Sequence, residues 1–206
     1  MASKEETRQI ILDAASQLFS RYGPTKTSVA DIARKIGMSP PNIYNFYPSR
    51  DAILEAVGEV QLTALRHRLA EETQRIEGDW PKIENLFLQT AHHLREHLEN
   101  ETDILQLQAM EIKHHWKFIQ DFNDFLKSTA RKILTDAMQA GRFRRQDPTI
   151  ATTALFDCMF SALDLLQLGR IERLDHERRI KVQLDLLEHA FTQTAPPAAR
   201  IPKATS

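Results

Sequence analysis

Thr27-Ser28-Val29-Ala30-Asp31-Ile32-Ala33-Arg34-Lys35-Ile36-Gly37-Met38-Ser39-Pro40-Pro41-Asn42-Ile43-Tyr44-Asn45-Phe46-Tyr47-Pro48-Ser49-Arg50 reads as two short helices joined by a tight turn. Ser28 is an N-cap, and Asp31, three residues on, stands where a capping box places its acid. The first helix spans Val29–Ile36 and stops at Gly37, which can adopt the left-handed backbone of the turn. Ser39 caps the second helix, and Pro40 takes its first position, where a missing N–H costs nothing. Ala33 lets the helices approach, while Ile32, Ile36 and Ile43 bury between them. This is the spacing of a helix-turn-helix. The second helix of such a unit enters the major groove with its N-terminal residues leading.

Working outward, Thr7–Arg21 carries Ile10, Ile11, Ala14, Ala15, Leu18 and Phe19 on one helical face and stops at Tyr22-Gly23-Pro24. Ser49 caps a long helix from about Arg50 to Ile76. Gly78-Asp79-Trp80-Pro81 signals a linker. Helical periodicity then resumes over Lys82–Leu98, Glu101–His115, Phe118–Ala140, Pro148 to about Leu168, and Asp175–Thr194. The expected fold is all-α, with about nine helices and no strand. Residues 1–50 form the helix-turn-helix domain, with its motif at about 28–47, and 51–195 a helical regulatory and dimerisation domain. The Pro-rich tail over 196–206 is expected to be disordered.

Composition agrees with helices and narrows the function classes. Of 206 residues only 6 are Gly, 42% are hydrophobic and 27% charged. No apolar run approaches the roughly 20 residues of a membrane span. The first residues are polar, unlike a signal peptide. Cys158 is the sole cysteine and has no disulfide partner in the chain, which points to a reducing, cytoplasmic setting. The net charge of −1 divides unevenly: residues 1–50 hold seven Lys/Arg against four acids, the remainder twenty against twenty-four. A basic end on an acidic body suits a chain that offers one end to phosphate, although ordinary charge scatter would give the same imbalance. A Gly-rich phosphate loop, a nucleophile elbow and an established metal motif are all missing, so no enzymatic chemistry is expected.

The motif, together with Leu18-Phe19-Ser20-Arg21-Tyr22-Gly23 before it, resembles the TetR family of bacterial transcriptional regulators over about residues 7–60. That family's pattern runs Thr/Ser-Val-x-x-Ile-Ala, a Gly-Val-Ser turn, Leu-Tyr, two variable positions, Phe and Ser-Lys. Gly141-Arg142-Phe143 and Asp147-Pro148 add a weaker likeness. The resemblance implies phosphate contacts at Ser28, Tyr44 and Arg50, and base reading at Ser39, Pro40, Asn42 and Asn45. Tyr47 takes the aromatic position that closes the helix, either as core or as contact. Pro40-Pro41 replaces a polar and small pair, and Phe46 stands where His is frequent, so apolar contact and shape carry more of the readout.

Reading DNA through one such unit calls for a dimer on a palindrome. Two helices are apolar around most of their circumference. One carries Ile150, Ala151, Ala154, Leu155, Phe156, Cys158, Met159, Phe160, Ala162 and Leu163. The other carries Ile180, Leu184, Leu187 and Phe191, with Val182, Leu186 and Ala190 beside them. The family pairs its last two long helices in a four-helix dimer bundle. Leu155, Cys158, Met159, Ala162, Leu184, Leu187 and Phe191 are therefore the candidate interface, and burial within one chain is the competing reading.

The resemblance further implies a small-molecule effector that releases a repressor from its operator. Phe87, Leu94, Met110, His114, Trp116, Phe118, Phe122 and Met159 are candidate pocket residues, although plain core is the better reading for most of them taken singly. His93 with His97, and Glu111 with His115, stand four residues apart, a spacing able to chelate a metal. The first pair lies among charges and reads as a solvated face, so no metal or other cofactor is expected. Two alternatives stay open: a DNA-binding protein of this fold without an effector, and a helical metal-binding module.

Overall fold

The computed structural model describes residues 3–98, 109–110, 112–164 and 172–192. Eight helices and no strand occur among the described residues. They are α1 (Lys4–Tyr22), α2 (Val29–Lys35), α3 (Pro40–Tyr44), α4 (Arg50–Arg75), α5 (Asp79–Leu98), α6 (Lys117–Gln139), α7 (Pro148–Leu163) and α8 (Arg173–Thr192). The helix expected over Glu101–His115 lies largely outside the described residues, with helical turns at 109–110 and 112–114. The expected tail, 196–206, and the continuation of α7 toward Leu168 lie outside them too.

Local chemistry explains the boundaries. α1 starts three residues earlier than hydrophobic periodicity indicates, because Ser3 and Glu6 close a capping box around a wholly polar first turn. Ser28 and Asp31 form the expected capping box on α2, and the Ser49 hydroxyl accepts from the Ala52 amide at 3.0 Å to cap α4. Ser39 occupies the N-cap position of α3, but its side chain makes no capping bond. The turn between α2 and α3 relies on Gly37 at φ +69°.

Residues 76–78 separate α4 from α5, so the expected linker holds at Gly78, but its Asp79-Trp80-Pro81 form the first turn of α5. Pro81 is tolerated there because first-turn amides have no intrahelical partner. Trp80 is buried, packing 6.2 Å from Phe143 and 5.8 Å from Phe191 between ring centroids. An aromatic next to Gly and Pro read as punctuation; here it anchors the far end of the core.

Two hydrophobic cores divide the chain within α4. The head core gathers Ile11, Ala15, Phe19, Ile32, Ile43 and Tyr47 with Ile53, Leu54 and Val57 of α4. The body core begins at Leu65 and Leu69 and takes in Phe87, Leu126, Leu134, Leu155, Met159 and Leu184. α6 supplies a single buried stripe, Phe122, Leu126, Ala130, Ile133, Leu134, Ala137 and Met138, at the spacing of an amphipathic helix. Trp116, just before α6, is counted with the head core. One body side chain therefore plugs into the head.

Candidate nucleic-acid interface and ligand cavity

The N-terminal edge of α3 is open. Ser39, Pro40, Pro41, Asn42 and Asn45 are exposed, and Tyr44 is 50% exposed, while Ile43 is wholly buried beneath them. Asn45 Nδ2 donates to Asn42 Oδ1 at 3.1 Å. This pairing orients both amides and leaves Asn42 two N–H groups and Asn45 its oxygen to offer to a base edge. Phe46 is half-buried against the head core.

Two arginines hold this edge in place, and neither points freely outward. Arg8 of α1 donates to the Phe46 carbonyl at 2.6 Å and lies over the Tyr47 ring, 4.4 Å from its centroid. It places a cation against the carbonyl end of α3, where the helix dipole favours one. Nothing in the apolar pattern of α1 marks it, because Arg8 reads as one more charge on a polar turn. Arg50 Nε donates to the Thr27 carbonyl at 2.8 Å, and its Nη2 donates to the Pro24 carbonyl. Those carbonyls belong to the segment leading into α2. Thr27 is buried and donates to the Gly23 carbonyl at 3.0 Å. Arg50, expected at a phosphate, is engaged in clamping the entry to the motif. Its fixed fork of N–H groups suits two converging carbonyls.

Tyr47 is 2% exposed, and its hydroxyl has no hydrogen-bond partner among the described residues. The structure places Tyr47 in the head core. Burial raises its pKa above the ordinary tyrosine range, and the Arg8 charge works the other way. Ser28 is exposed, with its hydroxyl donating to Asp31 Oδ2 at 2.5 Å. That bond, followed by the Ser28 amide, holds the Asp31 carboxyl below its usual range.

A cavity of about 480 Å³ lies where the head meets the body. Four of the expected pocket residues line it: Leu94, Trp116, Phe118 and Phe122. The other four do not. Phe87 and Met159 are packed in the body core, Phe87 with its ring 5.2 Å from Phe156. Met110 packs against the head core. His114 stands behind the cavity wall, stacked on Trp116 at 5.7 Å and 11°. A stripe of apolar residues does not tell which of its members touch a void and which touch each other. The sequence reading also missed the head's share of the lining, Phe19, Ser20 and Pro24, and α4's share, Leu54, Val57 and Gly58. Lys127, Asp157, Asp164 and His93 add polar groups. The His97 side chain and Glu111 lie outside the described residues, and His115 is exposed.

The expected dimer residues divide in the same way. Leu155, Met159, Ala162, Leu184 and Phe191 are buried within the single chain, and Leu187 packs against the same core. Cys158 is exposed. The outward faces carry Ile150 at 70% exposure on α7, and Val182 and Leu186 at 51% and 68% on α8, with Ala154 and Ala190 beside them. Both helices are apolar on two sides, and pattern alone did not say which side faces in.

A family model described as bacterial regulatory proteins of the tetR family matches residues 11–57, and a second, the tetracyclin repressor-like C-terminal domain, matches residues 81–181. The chain belongs to the TetR family. The HTH-type transcriptional regulator YvdT of Bacillus subtilis is 33% identical over 90 residues, covering 40% of this chain and 45% of its own length. The regulator AcrR of Shigella flexneri is 31% identical over 75 residues, 36% of this chain and 35% of its own. The chain thus spans less than half the length of these curated TetR relatives. Solved structures share the fold at low identity. A Saccharomonospora viridis protein in complex with choline has a TM-score of 0.73 at 20% identity, covering 92% of this chain and all of that one. FadR of Bacillus subtilis in complex with stearoyl-CoA has a TM-score of 0.65 at 18% identity, covering 87% and 96%. No described helix is long and apolar enough to cross a membrane.

Proposed function

We propose that this TetR-family chain is a cytoplasmic, dimeric repressor that reads a palindromic operator through α3 and releases it when a mainly apolar small molecule enters the cavity. The observation that carries this reading is the composition of the cavity wall. Phe19, Ser20 and Pro24 come from the head, Leu54 and Val57 from the shared helix, and Trp116, Phe118 and Phe122 from the body. An occupant would touch the DNA-reading unit itself, with no long relay needed. Coupling of about 1–3 kcal/mol suffices for regulation.

In this reading Ser39, Asn42 and Asn45 face base edges, Pro40 packs on a thymine methyl, and Ser28 and Tyr44 contact the backbone of the duplex. Arg50 acts by fixing the entry to α2. Two chains pair through the outward faces of α7 and α8, placing their α3 helices about 34 Å apart on one side of the duplex. The lining and the lack of a dominant charge favour an amphipathic ligand with an aromatic or aliphatic body.

Selection of bound duplexes from a randomised pool by the full chain tests the DNA reading. The expected result is a two-fold symmetric consensus whose half-sites lie about one helical turn apart, 10–10.5 base pairs. Recovery of no enriched sequence would overturn it.

A further inference from the structure

We propose that the contact between His114 and Asp51 is a latch that holds the head in its DNA-reading arrangement and is broken when the cavity fills. The inference rests on the reading of the cavity as an effector site, and assigns to His114 and Asp51 its regulation. His114 Nε2 lies 3.3 Å from Asp51 Oδ2, in the first turn of α4. The other oxygen of that carboxylate lies 3.7 Å from Arg50 Nη1. Arg50 in turn grips the Pro24 and Thr27 carbonyls, immediately before the N-cap of α2. On its other side His114 stacks on Trp116, and Trp116 stacks on Phe118 at 5.8 Å and 25°. Trp116 and Phe118 line the cavity; His114 does not.

The chain of contact is therefore continuous. A molecule in the cavity presses on the Trp116 and Phe118 rings. Trp116 is 6% exposed and inserted among head residues, so it has no slack to yield toward solvent. Phe118 is half-buried and is blocked on the α4 side, where a Cβ placed on Gly58 would lie 2.8 Å from its Cζ. Movement of the stack carries His114 with it. His115, next in the chain, sits at φ +46°, a left-handed conformation costly for a side chain with a Cβ. The Asp51 contact of the neighbouring His114 restrains that turn, and its loss releases the restraint. Once His114 withdraws, Asp51 turns fully to Arg50, and the clamp on the entry to α2 loses its fixed geometry.

Thermodynamic reciprocity gives this latch a signature that damage to the fold does not share. The test uses the full chain, the duplex it selects, and N-phenyl-1-naphthylamine, a fluorescent apolar probe, as the cavity occupant. In the wild type the probe should weaken duplex binding by about fivefold or more. His114→Ala, lacking the latch, should bind the duplex as weakly as the probe-saturated wild type does and show no further response. It should also bind the probe more tightly by the same factor, because no latch remains to be broken. His114→Gln, which keeps a donor for Asp51, should restore part of both effects. Retention of the wild-type response by His114→Ala would overturn the latch alone. So would loss of duplex affinity without a gain in probe affinity, which is the mark of a merely structural role. A wild type whose duplex affinity ignores bound probe would overturn the effector reading of the cavity, and the latch with it.

Discussion

At the scale of single residues, the reading edge depends on side chains that do opposite things with similar chemistry. Asn42 and Asn45 pair with each other and still present donors and an acceptor outward. Asn42→Ala is expected to relax preference at one or two base pairs, costing about 1–3 kcal/mol on the preferred duplex and little on others. Competition binding against duplexes mutated at each position measures this. Tyr47, four residues past Ile43 and equally buried, carries a hydroxyl with no partner among the described residues. Removing a buried, unsatisfied hydroxyl stabilises a fold, so Tyr47→Phe should raise unfolding free energy by about 1 kcal/mol and leave duplex affinity unchanged. Denaturant titration and anisotropy binding check the two halves. The family resemblance placed an aromatic at Tyr47 without saying whether it faces in or out; the structure buries it. Arg8 and Arg50 show the reverse limit. Both are long charged residues in a basic segment, and the sequence has no mark for a guanidinium whose target is a carbonyl folded back over it.

At the scale of helices, the motif was legible because every signal in it is local. Ser28, Asp31, Gly37, Pro40 and Ser49 each act within a few residues, and the structure places their helix ends accordingly. Where a boundary depends on tertiary packing, local signals mislead. Trp80 beside Gly78 and Pro81 reads as a break, and burial against Phe143 and Phe191 makes it a helix start. Gly58 was silent for the same reason: its small size matters only because Phe118 of α6 lies across α4 there. Gly58→Ala would gain about 1 kcal/mol in helix propensity, while a clash with an unyielding ring would cost about 1–3 kcal/mol. Phe118 has the cavity at its edge as an escape. The expected outcome is a near-unchanged melting temperature with probe affinity reduced severalfold, as the displaced ring occupies the cavity. Calorimetry and fluorescence titration measure the two effects separately.

At the scale of the whole molecule, the body is joined by contacts that composition does not reveal. His176, on α8, is 4% exposed, with Nε2 2.9 Å from the Ala162 carbonyl of α7. Burial holds its pKa below the ordinary histidine value, with the carbonyl contact working the other way. A folded pKa below the unfolded one means that the unfolded chain takes the proton more readily. The stability His176 contributes is therefore present above about pH 6.5 and is lost as pH falls through and below that range. Between about pH 7.5 and pH 5.5 the urea midpoint should fall, and it should fall less in His176→Gln. The allocation of faces on α7 and α8 belongs to this scale as well. Leu155 and Leu184 turned inward and Ile150 and Leu186 outward once α7 packed on α5 and α6, and α8 on α5 and α7. Amphipathic patterning identified both helices as two-sided, and only their neighbours could assign the sides.

The most direct test of a dimeric DNA reader is sedimentation of the full chain with the duplex it selects, at two salt concentrations. The account predicts two chains per duplex and an affinity that falls at least about tenfold between about 50 and 200 mM salt, as phosphate contacts release counterions. One chain per duplex, or an affinity indifferent to salt, would contradict it.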